Sequence, residues 1–179
     1  MKTPMAALCA AKAFYDRAPY AVAAYVIGGV SALTLAGAWF FQLVLGVLPC
    51  PFCLYERIPY YAAVPLALVL AFLARDARRS SFARAWLVLI GALFVFAAGL
   101  GAFHAGWEWG FWQGPTTCSS AALPSGGGDL LSAMNRTRVV PCDVVQWSFF
   151  GLSLAGYNAL ISAGLAVVAL WSASQKPGR

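Results

Sequence analysis

Charge is scarce in this chain. Only 10% of its 179 residues are charged, six of them acidic, and there is a single histidine, His104. A soluble domain carries about 25% charged residues and is about half apolar. Here 61% of residues are hydrophobic and the mean hydropathy is +0.74, which excludes that class and points to an integral membrane protein. The lone histidine also argues against a structural zinc centre, which takes four ligands, because Cys118 and Cys142 lack the spacing of a second ligand pair. No metal is expected. Internal repeats are absent, and no cleavable signal peptide is expected, because the apolar run before residue 18 is short and broken by Lys12. The first span is therefore expected to act as an uncleaved anchor.

What the chain has in abundance is long apolar runs. Crossing ~30 Å of hydrocarbon as a helix takes about 20 residues. Four stretches qualify, with helices expected at about 20–44, 51–74, 85–105 and 148–172. The reading is an all-α membrane protein, a four-transmembrane-helix bundle in one domain over residues 1–179, with a long outer loop at about 106–147. The connection around Leu48–Pro51 is short, so the first two helices should be antiparallel neighbours, and Arg75–Arg84 reads as a tight helical hairpin.

The net charge of +6 would suit nucleic acid, but its distribution follows membrane topology. Lys2, Lys12 and Arg17 precede the first span; Arg75, Arg78, Arg79 and Arg84 lie between the second and third; Lys176 and Arg179 follow the fourth. Only Arg57, Arg136 and Arg138 fall on the other side. By the positive-inside rule both termini are expected in the cytoplasm, and no nucleic acid is expected as partner. Cys50, Cys53, Cys118 and Cys142 then face outward, where lasting disulfides are permitted, while Cys9 stays inside as a spectator.

The chemistry concentrates in Pro49-Cys50-Pro51-Phe52-Cys53. Proline pushes the preceding Cys50 out of the α region and is itself favoured at the first helical position. Cys50 is thus predicted as N-cap and Cys53 as the third helical residue. Unpaired amides and the positive end of the helix dipole favour thiolate there. Arg57, one turn beyond Cys53 on the same face, adds a permanent cation. Redox exchange suits this arrangement better than a structural disulfide, which needs neither the prolines nor the arginine. Arg57 could instead pair with Glu56 or reach lipid headgroups.

Cys118 and Cys142 close about 25 residues of the outer loop, which as a static bond could contribute roughly 3 kcal/mol. The Gly, Ser and Pro residues around them offer little core to brace, and an exposed disulfide is open to an attacking thiolate. Asp129 could cap a short amphipathic helix over Leu130–Met134, or the segment is a loop with an apolar anchor. Aromatic clusters around Trp39–Phe41, Trp107–Trp112 and Trp147–Phe150 read as an interfacial belt, although flat surfaces beside a cofactor ring would look the same.

Trp39-Phe40, Gln42 and Cys50-Pro51-Phe52-Cys53-Leu54-Tyr55-Glu56-Arg57, followed by His104, Cys118, Cys142 and the stretch Gln146–Ser162, closely resemble the bacterial disulfide bond formation protein B (DsbB) family. The resemblance implies an inner-membrane protein-disulfide:quinone oxidoreductase that re-oxidises a periplasmic thioredoxin-fold partner of the DsbA type. It implies that Cys118 takes the mixed disulfide with that partner. Cys142 then exchanges with Cys50, leaving Cys53 as a thiolate against ubiquinone or menaquinone. Arg57, His104 and Gln42 match quinone-site positions. His104 by itself could equally satisfy a local carbonyl. Two alternatives remain at this stage: a four-span adhesion or structural protein with a disulfide-braced loop, and a relay passing electrons outward, since direction depends on potentials.

Overall fold

A computed structural model describes residues 19–75, 80–114 and 140–175. Among these, four long helices dominate: α1 (Pro19–Leu43), α2 (Pro51–Leu73), α3 (Ser80–Glu108) and α4 (Leu154–Ser174). Their 25, 23, 29 and 21 residues are each enough for a membrane crossing. Each helix buries one narrow stripe. On α1 it is Ala23, Ile27, Ser31 and Leu35, at helical spacing. The opposite faces stay apolar, with Leu33 and Phe96 73% and 63% exposed. A water-facing helix surface is polar, so these faces are built for lipid. The protein is a multi-pass, all-α membrane bundle.

The helices form a ring. α3 packs most extensively on α4, α1 on α2, α2 on α3, and α1 only lightly on α4. Small residues allow the close approaches, as expected where lipid gives helices no hydrophobic reason to associate. At Gly101 of α3 an added Cβ would lie 2.8 Å from the backbone nitrogen of Ala159 in α4. Tyr60, Phe94, Ile27, Leu70, Leu87 and Ile90 fill the centre. One polar tie crosses it: the Tyr60 hydroxyl donates to Asn158 Oδ1 at 2.7 Å and lies 2.8 Å from Ser162 Oγ.

Two element boundaries differ from the sequence expectation. α3 begins at Ser80 and reaches Glu108, beyond the expected 85–105, because helical hydrogen bonding continues through Arg84 and Glu108 at the ends of the apolar run. Residues 148–153, expected as the start of the fourth span, instead form a hairpin. Its strands, β1 (Ser148–Phe149) and β2 (Leu152–Ser153), are antiparallel. Phe150 and Gly151 make the turn at φ 48° and 76°, the positive values a two-residue type I′ turn demands and a helix forbids. Ser153 then caps α4 by accepting from the Gly156 N–H at 3.2 Å. The expected Leu130–Met134 helix lies outside the described residues, as do Cys9, Cys118 and most of the basic residues that set the expected topology.

Candidate functional site

At the end of the bundle where α2 begins, Cys50 adopts extended backbone (φ −68°, ψ 162°), caps the helix, and is followed by Pro51 in its first turn. Its Sγ accepts from the Cys53 N–H at 3.1 Å. One turn of helix brings the two sulfurs to 2.6 Å, within about 0.6 Å of a disulfide bond length. The proline and helix-start arguments thus account for the geometry of the pair. They do not account for its protonation at Cys50. The neighbouring Cys53 thiol, and burial after it, push the Cys50 thiol far up from its ordinary 9.0; the His104 contact pulls the other way but is outweighed. Cys50 keeps its proton.

His104, near the end of α3, is 1% exposed. Both of its ring nitrogens face side chains. Nδ1 lies 3.0 Å from Glu56 Oε1, and because a carboxylate only accepts, Nδ1–H is the donor. Nε2 then faces Cys50 Sγ at 3.8 Å. The Phe52 and Trp107 rings flank the imidazole, with centroids 5.1 and 6.4 Å away. Cys50, His104 and Glu56 stand in line, drawn from the start of α2, from α3, and from the second turn of α2.

Arg57 takes a different direction. It does not pair with Glu56. Nη1 donates to Gln42 Oε1 of α1 at 2.8 Å, Nη2 lies 3.5 Å from the Ala38 carbonyl, and the guanidinium sits 5.8 Å over the Trp39 ring. Trp39 in turn donates to the Tyr61 hydroxyl at 2.8 Å.

These groups border a cavity of about 470 Å³ between α1 and α4, the lightly packed pair, with α2 as its back wall. That volume is typical of a small-molecule site. Phe41, Trp147, Phe149 and Ile161 give it apolar walls, and Cys50, Cys53, Cys142, Arg57 and His104 all reach it. Gln42 does not border it and meets it only through Arg57. Cys142 is buried in one cluster with Cys50 and Trp107. Of the site residues expected from sequence, the structure therefore brings five to one cavity and sets Gln42 behind one of them, Arg57, while Cys118 lies outside the described residues.

Sequence reasoning missed part of the wall. Glu56 and Glu108, the chain's only two glutamates, both border the cavity, as does Asn158. Glu108 receives a hydrogen bond from Ser153, but its Oε2 and the Asn158 Nδ2 are buried with no partner among the described residues. The available signal was their rarity: two carboxylates at the ends of apolar runs are costly unless used.

The donor set can be tested against possible occupants. Cys50, Cys53 and His104 present ligand atoms within 4.8 Å of one another. Tetrahedral zinc needs a fourth ligand and holds its sulfurs about 3.8 Å apart, so this pair would have to separate to admit an ion. A flat, apolar ring with polar oxygens fits better: aromatic walls, a cation at Arg57 and an unsatisfied amide donor at Asn158 are the complement it needs.

A lipid-embedded four-helix bundle with a dithiol and a third cysteine gathered at one end is a multi-pass membrane protein built around thiol chemistry. Comparison with known proteins gives the family. The family model for disulfide bond formation protein DsbB matches residues 20–172. The disulfide bond formation protein B of Verminephrobacter eiseniae (strain EF01-2) is 30% identical over 166 residues, 87% of each chain. That of Polaromonas sp. (strain JS666) is 29% identical over 165 residues, 88% of this chain and 92% of its own. That of Acidovorax sp. (strain JS42) is 31% identical over 157 residues, 80% of each. No solved structure matches. The chain belongs to the DsbB family, and is an oxidoreductase acting on disulfide bonds.

Proposed function

We propose that this protein re-oxidises a periplasmic thioredoxin-fold dithiol protein of the DsbA type and passes the electrons to membrane quinone, ubiquinone or menaquinone. The observation that carries this reading is the meeting of Cys50, Cys53, Cys142 and Arg57 at one apolar cavity between membrane-length helices. A lipid-soluble oxidant must be met inside the bilayer and a protein dithiol outside it, so the two jobs need separate cysteines in exchange contact.

In this mechanism the partner's thiolate attacks Cys118, opening the Cys118–Cys142 disulfide. Cys142 as thiolate attacks Cys50 of the Cys50–Cys53 disulfide; the Cys142–Cys50 bond forms and the electron pair of the broken bond stays on Cys53. The close packing of Cys142 with Cys50 favours that choice of sulfur. Bound quinone supplies a two-electron, two-proton acceptor. Arg57 holds negative charge beside Cys53, and Asn158 Nδ2 offers a hydrogen bond to a ring oxygen. Inner-membrane residence with cytoplasmic termini is proposed on the distribution of Lys and Arg.

Purified protein mixed with a reduced thioredoxin-fold partner should turn over only when quinone is added, read by loss of quinone absorbance. Cys53→Ser should abolish it. Turnover without quinone, or an undiminished rate in Cys53→Ser, would overturn the reading.

A further inference from the structure

Cys50 takes part in the exchange just described, but His104 and Glu56, which stand in line behind it, do not. Yet the three together have the form of an acid–base relay: a sulfur 3.8 Å from imidazole Nε2, and the other ring nitrogen held by a carboxylate at 3.0 Å. All three side chains are buried. Burying a carboxylate against a histidine is costly, and a local carbonyl would have satisfied Nδ1 at less expense.

We propose that His104, oriented by Glu56, is the proton carrier of Cys50. This rests on the thiol-oxidase reading and adds to it a second duty for the site. When the Cys118 thiolate, freed by the partner, attacks Cys142, the Cys118–Cys142 bond forms and the Cys142–Cys50 bond breaks with its electron pair on Cys50 Sγ. The proton on Nε2 moves to that sulfur, leaving a neutral thiol. When the Cys50–Cys53 disulfide re-forms, the same proton returns to Nε2 as the S–S bond is made. The two cysteines then give up two electrons, and Cys50 its one proton, which stays on Nε2 for the next cycle; the two protons that complete a quinol are those released by the partner's two thiols. Glu56 touches no reacting atom. It fixes the tautomer and stabilises the imidazolium while the proton is held there, so it is a positioning residue.

The need for a carrier follows from the site itself. Cys50 is buried in a cluster with Trp107 and Cys142, and the Cys53 thiol together with burial keeps it protonated. A thiol that cannot ionise unaided cannot attack. The other groups around His104 are Cys53 and Glu56 from α2, Glu108 one turn further along α3, and Cys142 from the segment preceding the hairpin. Arg57 is turned to Gln42 and Tyr60 to Asn158, leaving Glu56 as the hydrogen-bonded counter-charge.

The test needs neither quinone nor partner. In a Cys53→Ser background, alkylation of Cys50 by N-ethylmaleimide is followed from pH 6 to 10 by mass spectrometry of the Cys50 peptide. Adding His104→Gln or Glu56→Gln should slow alkylation at pH 7 at least tenfold and move its rise towards higher pH, in keeping with the 10²–10⁴-fold usual for general acid–base groups. The double variant Glu56→Gln/His104→Gln retains an amide–amide hydrogen bond at the same place and should be as slow as either single one. A pH profile in folded His104→Gln that superimposes on the Cys53→Ser parent would overturn the proposal. So would recovery of the parent rate in the double variant, which would mean the pair acts through packing. Should His104→Gln not fold, Glu56→Gln, with the imidazole intact, makes the same comparison. Failure of quinone reduction in the unsubstituted protein would instead overturn the function and leave the alkylation result standing.

Discussion

Arg57 donates to Gln42 across the α1–α2 interface at 2.8 Å, and through that bond it is withdrawn from Glu56, its neighbour in the chain. Consecutive residues on a helix point about 100° apart. Arg57 therefore serves α1 and the cavity mouth, and Glu56 turns inward to His104. One adjacent pair of opposite charges is divided between two tasks.

If Gln42 fixes the guanidinium for an electron acceptor, its removal should act on quinone and not on protein substrate. Arg57→Ala should raise the apparent KM for quinone about tenfold or more, as expected for losing a hydrogen bond to a charged group worth ~1.5–3 kcal/mol. Gln42→Ala should raise it severalfold. Steady-state titrations with quinone at fixed partner concentration check this. An unchanged KM in both variants would reassign Arg57 to a structural or headgroup contact.

Cys142 lies with Cys50 in one buried cluster, and in the proposed relay it links the protein partner to the dithiol. Cys142→Ser should abolish oxidation of a thioredoxin-fold partner. A small reductant such as dithiothreitol, which can reach Cys50–Cys53 through the cavity, should still drive quinone reduction at a substantial rate. Loss of both activities would show that Cys142 supports the dithiol in some other way.

Protonation at Cys50 predicts a pH dependence with a definite sign. Its thiol is raised from 9.0, so the reactive thiolate is scarcer at any given pH than for an ordinary cysteine. In the reduced protein, alkylation of Cys50 should keep climbing above pH 9. Cys53→Ser removes the largest cause of the shift, so the climb should begin at lower pH. Peptide mapping after timed alkylation measures it; identical profiles with and without Cys53 would refute the assignment.

The Tyr60 hydroxyl ties α2 to α4 through Asn158 and Ser162 in the interior of the bundle. Tyr60→Phe should lower the unfolding midpoint by a few degrees, corresponding to ~0.6–1.7 kcal/mol for an interhelical hydrogen bond in a membrane protein. Intrinsic tryptophan fluorescence on heating reports it. The cysteine geometry, set at the other end of the cavity, should leave Cys50 alkylation unchanged.

The sequence was readable wherever the cause is local. Apolar runs of helix length have no alternative in lipid, because only a helix satisfies every backbone group within one segment. The number of spans follows from that alone. Proline after Cys50 likewise decides the cap and, with it, the approach of two sulfurs one turn apart. Hydropathy misjudged the ends. It could not see that α3 continues to Glu108, or that Phe150 and Gly151 take positive φ and delay α4 to Leu154.

Pairings over long sequence distance were decided only by the packed bundle. His104 and Glu56 are 48 residues apart, and no spacing rule links them. The light contact between α1 and α4, which leaves room for the cavity, depends on how four apolar surfaces share out their small residues. The sequence by itself determined the membrane class, the helix-capping dithiol and the cation one turn beyond it, since each arises within a few residues of backbone. Tertiary structure alone decided that Cys50 keeps its proton, that Glu56 orients His104, and that Cys142 packs against Cys50. Those properties depend on burial and on partners from other helices, which a local pattern does not contain.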